Sequence, residues 1–304
     1  MTVQYHCIRS HQSFDLSQQR TDQLLVLHGT GRNQQATLPA RWISVWLPFS
    51  DGLELESPDC RWSLKPRELL VWRDAPLQAG SRRGGPWLAV CGGPDAWDRL
   101  RRPRRGEPSL ALLPAEHRCH REVRRLLVRL ARTARRPADG APDATATAEM
   151  LSDALAEQQR ELHVLLPRCN GRTLVRREQT LMRLLRVHHL IRRHEEGRVD
   201  LARLAASANY SPCHLIRSYR EVFGATPSEH AARLRSEKAW RLVRETDMPV
   251  CEITAALGFE SQSAFCRAFK SSFGMTTTQA RQLGAPVPMR AEASGPEFAR
   301  ARAA

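Results

Sequence analysis

Two short stretches near the C-terminus carry side chains suited to hydrogen bonding with base edges and phosphates. In the first, Cys213, Ile216, Arg217 and Arg220 share one side of a helical period, and Leu215 and Tyr219 take the other. In the second, Gln262, Ser263, Ala264 and Arg267 occupy the reading positions and Lys270 lies one turn on, while Phe265 and Phe269 turn inward. Arg can present two donors to guanine, Gln can pair with adenine, and Ala can meet a thymine methyl. Arg220 and Lys270, one turn further on, suit phosphates. The other reactive residue types are dispersed. Cys7, Cys60, Cys91, Cys119, Cys169, Cys213, Cys251 and Cys266 include no C-x-x-C pair, so reduced thiols are expected rather than a disulfide framework. The best metal grouping is His117-x-Cys119-His120 with His6, Cys7 and His11 elsewhere. It sits on what reads as a charged helix start and lacks a thiolate pair, so no metal and no cofactor are expected.

The elements that must position the two stretches repeat. A shift of 50 superposes Ser211 on Ser261, Leu215 on Phe265, Arg217 on Arg267, Tyr219 on Phe269 and Phe223-Gly224 on Phe273-Gly274. Upstream the shift is 49, pairing Leu204 with Ile253, Ala208 with Leu257 and Tyr210 with Phe259, so the second turn holds one extra residue. Two copies make a duplicated module rather than a solenoid. In each copy the pattern predicts helix, tight turn, helix. Asp200 caps the first helix and Ser211, followed by Pro212, opens the second. Gly224 closes it, and Thr226-Pro227-Ser228-Glu229 launches a connecting helix to about Arg244 as a capping box. Pro249, Gly258-Phe259, Ser261, Gly274 and Thr276-Thr277-Thr278-Gln279 repeat the scheme. Helix, turn, helix with an outward basic second helix is a geometry for the DNA major groove.

Residues 1–110 read differently. Runs such as Leu24–Leu27, Trp42–Leu47, Glu68–Trp72 and Trp87–Val90 recur between turn signals, predicting a small β-barrel or sandwich. Trp42, Trp46, Trp62, Trp72 and Trp87 fall in or beside these strands, as core packing or as the lining of a ligand mouth. Residues 111–171 read as helical, a dimerisation or linker region whose helices serve as dimer-forming or docking elements or equally cover their own barrel. Val123, Leu126, Leu127, Leu130 and Ala134 form one apolar stripe, surrounded by arginines. Leu151, Leu155, Leu162 and Leu166 form a second, ended by Pro167. Residues 136–145 read as a loop, 172–284 as an all-helical domain, and 285–304 as a disordered tail.

The 304 residues hold 47 Lys+Arg against 32 Asp+Glu, a formal charge of +15, so a polyanionic partner is the first expectation. Lys65, Lys238 and Lys270 are the only lysines. No apolar run approaches the ~18–20 residues of a membrane span, and residues 1–7 lack the layout of a secretory signal, which predicts a cytoplasmic protein and no membrane partner.

The duplicated segment resembles the DNA-binding domain of the AraC/XylS family of bacterial transcription regulators. The second copy carries the family signature as Ile253-Thr254-x-x-x-Gly258-Phe259-x-x-x-Ser263-x-Phe265-x-Arg267-x-Phe269-Lys270, and Ser211-Pro212-x-x-Leu215-x-Arg217-x-Tyr219 fits the first. The departures are Thr254 for Ala, Ser236 for Leu in the connecting helix, and Thr277 for Pro. The resemblance covers about 110 of the 304 residues. It implies an α+β chain: a cupin-like effector and dimerisation domain with flanking helices, then an all-α domain of two helix-turn-helix units joined by a connecting helix. The expected partners are double-stranded promoter DNA in the nucleoid, RNA polymerase for an activator, a second copy in a homodimer, and a small-molecule effector. The alternative is a cupin-type enzyme or sensor domain fused to a DNA-binding tail. Such an enzyme needs a His-x-His and Glu metal set, and His28 is the only histidine between residues 12 and 116, so no catalytic residues are expected.

Overall fold

The computed structural model describes residues 2–58, 60–73, 75–100, 111–136, 144–193 and 200–283, which fall in two compact units, Met1–Pro167 and Arg168–Ala304. The expected tail at 285–304 and residues 137–143 of the expected loop lie outside the described residues.

Unit 1 begins with ten strands: β1 (Val3–Ile8), β2 (Ser13–Asp15), β3 (Leu24–Gly29), β4 (Gln34–Leu38), β5 (Ile43–Pro48), β6 (Leu53–Ser57), β7 (Cys60–Leu64), β8 (Glu68–Trp72), β9 (Leu77–Ser81) and β10 (Trp87–Gly92). Helix α1 (Pro94–Leu100), strand β11 (Ala115–Arg118) and helices α2 (Arg121–Arg135), α3 (Ala144–Gln158) and α4 (Arg160–His163) follow. The strands form two separate sheets, β1-β3-β10-β5-β8-β11 and β2-β4-β9-β6-β7, rather than a closed barrel. The side-chain pattern says why two sheets suit this sequence. In β4, β6 and β7 burial alternates residue by residue, as on a sheet with one face in water. By contrast β5 and β10 are buried throughout. One face of their sheet packs Val26, Val45, Val71 and Val90 into a core with Trp97 of α1, Leu126 and Leu130 of α2, and Leu151 and Leu155 of α3.

Three expectations change here. The stripe on α2 is not free for a partner, because Val123, Leu126, Leu127 and Leu130 are at most 1% exposed against the chain's own sheet. The second stripe is not one helix either: α3 stops at Gln158, α4 is a single turn, and Leu166–Arg168 is a 3-10 turn. Just past the end of α3, buried Gln159 bonds both ways with the backbone of Leu113, accepting its N–H at 2.8 Å and donating to its carbonyl at 2.7 Å. Finally, His117 lies on β11 and His120 is the N-cap of α2, so the supposed helix start at His117 is a strand paired with β8. No cluster of three metal-ligating side chains occurs among the described residues.

Unit 2 is helical: α5 (Leu174–Arg193), α6 (Leu201–Ala208), α7 (Pro212–Phe223), α8 (Pro227–Glu245), α9 (Val250–Ala256), α10 (Gln262–Phe273) and α11 (Thr277–Gln282). The first helix pair, α6 and α7, packs with α5 and α8, burying Leu181, Leu184 and Leu190 of α5 together with Leu204, Leu215, Tyr219 and Val222. The second pair, α9 and α10, shares α8. Its core is Ala239, Val243, Ile253, Leu257, Phe265, Phe269 and Ala280, with Trp240 stacked 6.0 Å from Phe269. No helix among the described residues is long and apolar enough to cross a membrane.

Candidate nucleic-acid interface

The caps that fix α7 and α10 are the same in kind. Ser211 accepts the His214 N–H at 3.3 Å, and Ser261 accepts the Ala264 N–H at 3.1 Å. At the far ends Gly224 and Gly274 adopt φ of 76° and 71°, and each donates its N–H at 2.8 Å to a carbonyl one turn back, Arg220 and Lys270 respectively. A left-handed residue costs a glycine little, so both helices end sharply after twelve residues. The preceding turns match as well. Asn209 and Gly258 are left-handed, and the next N–H of each copy, Tyr210 or Phe259, bonds five residues back to Ala205 or Thr254. Glu260 is the extra residue of the second turn. Capping boxes of Thr226 with Glu229 and of Thr276 with Gln279 start α8 and α11.

Burial of Leu215 and Tyr219 turns the opposite side of α7 outward, and burial of Phe265 and Phe269 does the same for α10. Cys213, Arg217 and Arg220 are exposed and Ile216 is half-buried. With Glu221 they line a shallow groove along α7. On α10, Gln262, Ser263, Arg267 and Lys270 are exposed and Ala264 is half-buried. The four positions on α7 share one outer face, whereas on α10 Ser263, Arg267 and Lys270 share the outer face, with Gln262 and Ala264 at its two edges in the first turn.

The two faces differ in their charge partners. Arg217 donates to Glu221 at 3.1 Å, and Asn170 donates to the same carboxylate at 2.8 Å. Arg220 reaches Glu229 at 3.2 Å, while Glu229 also accepts the Thr226 N–H at 2.7 Å. The bond from Arg217, and then that from Asn170, hold the Glu221 carboxyl below its ordinary range. The Thr226 backbone does the same for Glu229. In the second copy the equivalents of Glu221 and Glu229 are the uncharged Ser271 and Gln279. Arg267 and Lys270 have no carboxylate partner among the described residues. The Arg217–Glu221 pair could be read from its i, i+4 spacing. Arg220–Glu229 could not, because it spans the turn into α8.

Beneath α7 lies a polar cluster that sequence patterns did not single out. The Tyr219 hydroxyl sits 2.6 Å from His230 Nδ1 and 3.0 Å from His188 Nδ1, joining α7, α8 and α5. The hydroxyl donates to one ring and accepts from the other. Burial is the first cause that lowers both histidines, with the other ring, Arg192 and Arg233 adding repulsion for His188. His230 falls to about 4 and His188 lies well below its ordinary value. Three departures from the family pattern are accommodated. The Thr254 hydroxyl donates to the Val250 carbonyl at 2.7 Å, Ser236 meets Ser272 at 3.4 Å, and Thr277 is buried at the first position of α11.

Residues 204–283 match the helix-turn-helix domain family. The MmsAB operon regulatory protein of Pseudomonas aeruginosa is 32% identical over 96 residues, 32% of this chain and 31% of that protein. The transcriptional regulator CdhR of the same species is 34% identical over 114 residues, 38% of this chain and 33% of that protein. The probable transcription factor PqrA of Proteus vulgaris is 32% identical over 94 residues, which are 31% of this chain but 75% of PqrA. The chain belongs to the AraC/XylS family. It spans about a third of the length of the first two relatives. The AraC/XylS resemblance therefore lies in unit 2, where all nine of the face residues also lie.

Proposed function

We propose that this chain is a sequence-specific, effector-responsive transcription regulator that binds promoter DNA through unit 2. The observation that carries the reading is the matched pair α7 and α10, with equivalent caps and cations at equivalent outward positions. In this reading Cys213, Ile216 and Arg217 meet base edges in one major groove, and Gln262, Ser263, Ala264 and Arg267 meet them in the next. Arg220 and Lys270 hold phosphates. The 19-residue α8 is about 28 Å long at 1.5 Å per residue, which with its turns suits grooves one DNA turn (~34 Å) apart.

Unit 1 is the sensor in this reading. The Trp46 and Trp87 rings, 5.4 Å apart, are turned to the face of their sheet opposite the helix-packed core. Their indole N–H groups, Gln34 Oε1 and Ser81 Oγ are buried with no hydrogen-bond partner among the described residues. Leaving such groups unpaired costs about 1–3 kcal/mol each, which favours a small polar ligand between the sheets. A bacterial cytoplasmic protein acting at the nucleoid, as a homodimer formed through a surface other than the α2 stripe, completes the reading, with RNA polymerase as a partner if it activates. Selection of bound fragments from genomic DNA by the purified chain tests it. Enrichment of a common sequence is expected, and recovery of random fragments, with or without candidate effectors, would contradict it.

A further inference from the structure

The core position of α2 dictates what its other side presents. With Val123, Leu126, Leu127, Leu130 and Ala131 buried in unit 1, Arg121, Arg124, Arg125 and Arg132 are exposed around half-buried Val128 and Arg129. Arg121, Arg125, Arg129 and Arg132 follow i, i+4, i+8, i+11, a stripe about 16 Å long with neighbouring charges roughly 6 Å apart. Glu122 is the one acidic residue of the helix, and its contact with Arg125 is a loose 3.9 Å between exposed groups. Arg124 lies over the Phe49 ring at 5.6 Å. Arg121, Arg129 and Arg132 have no carboxylate partner among the described residues. Such a row repels a second copy of itself, and it lacks the free apolar face that would insert into a lipid surface.

We infer that this face of α2 binds the phosphate backbone of the DNA flanking the segment held by unit 2, without reading bases. The inference rests on the reading of unit 2 as DNA-binding. A row of guanidinium groups with only one loose carboxylate contact among the described residues suits a polyphosphate strand by charge and by donor geometry. Because both units belong to one chain, duplex held by unit 2 is at high effective concentration for unit 1, so weak phosphate contacts suffice. An acidic protein surface would satisfy the same charges but is not tethered to the chain in this way.

The full chain can be titrated by fluorescence anisotropy at several salt concentrations on two duplexes. One carries only the two sequence blocks selected by the protein; the other adds about 20 base pairs of arbitrary sequence on each side. The triple variant Arg121→Gln, Arg125→Gln, Arg132→Gln is compared with wild type and with the corresponding triple Lys variant. On the flanked duplex the Gln variant should lower the salt slope by about 2.7, three phosphate contacts at about 0.9 each, while the Lys variant keeps the wild-type slope. On the short duplex all three proteins should agree, which also shows that unit 2 is folded. Equal slopes for wild type and the Gln variant on the flanked duplex would overturn the inference and leave the face to an acidic protein or to solvent. So would equal losses on both duplexes. If wild type binds neither duplex selectively, the reading of unit 2 falls first and this one with it.

Discussion

Arg217 is tied to Glu221 by a bond of 3.1 Å along one turn of α7, and its counterpart Arg267 faces Ser271 with no carboxylate. One outer-face arginine is therefore held by a carboxylate, and its counterpart has none among the described residues. The pair is exposed, with Arg217 at 81%, so its worth to folding is within about 0–1 kcal/mol. Its consequence lies in orientation.

Replacing Glu221 by Gln should release Arg217 and remove a repelling charge. Affinity for scrambled duplex should rise, affinity for the matched duplex should rise less, and preference in the block read by α7 should shrink. Preference in the other block should hold. Anisotropy titrations with single-block-scrambled duplexes measure this; an unchanged matched-to-scrambled ratio would remove the orienting role from Glu221.

In the second copy, base reading and phosphate holding should separate cleanly. Arg267→Ala should cost ~1–3 kcal/mol on the best site and relax one block only. Lys270→Ala should weaken every sequence alike and reduce the salt slope by about one. Should Arg267→Ala lose the same factor on matched and scrambled duplexes, Arg267 is a phosphate contact.

Leu126→Glu should unfold unit 1 rather than dissociate a dimer. Leu126 is 1% exposed in the core formed with β3, β5, β8 and β10, and burying an unpaired carboxylate there costs several kcal/mol. Loss of a thermal transition, with the tryptophan fluorescence of unit 1 shifted to the red, is expected. A variant that melts like wild type but sediments as a monomer would restore the stripe to an interface.

This last case shows where sequence stops. An apolar stripe at helical spacing says that a face is buried, and Leu126 is; it does not say against what, because the partner strands lie 30 to 100 residues away. Unit 2 was readable in detail because caps are local. Ser211, Gly224, Thr226 with Glu229 and their copies each act within about four residues, and each stands as the residue types dictate. The charge clamp from Arg220 to Glu229 and the contacts of His188 with Tyr219 and His230 arise between helices, so spacing could not reveal them. The two-sheet arrangement was half legible. Short strands were plain, but closure depends on pairing across the chain, such as the parallel pairing of β1 with β3.

Acid should destabilise unit 2. His188 and His230 have folded-state pKa values below the ordinary ~6.5, His230 at about 4. Above pH 6.5 neither state binds these protons and stability is full. As pH falls below 6.5 the unfolded chain takes them up first, so stability declines, by up to about 1.4 kcal/mol per pH unit and site, until the folded pKa is reached. His189, lowered to about 3, acts in the same direction. Urea midpoints followed by far-UV circular dichroism should drop from pH 7.5 to pH 5, and His230→Gln should show a smaller drop than wild type. An undiminished drop in that variant would place the acid sensitivity elsewhere.

The most direct test of two reading helices in one chain is a hydroxyl-radical footprint of the purified protein on its best selected fragment. Two short protected blocks about 10 base pairs apart are expected on one face of the duplex, and scrambling either block should abolish protection of that block first. A single continuous block, or uniform protection that ignores sequence, would contradict the account.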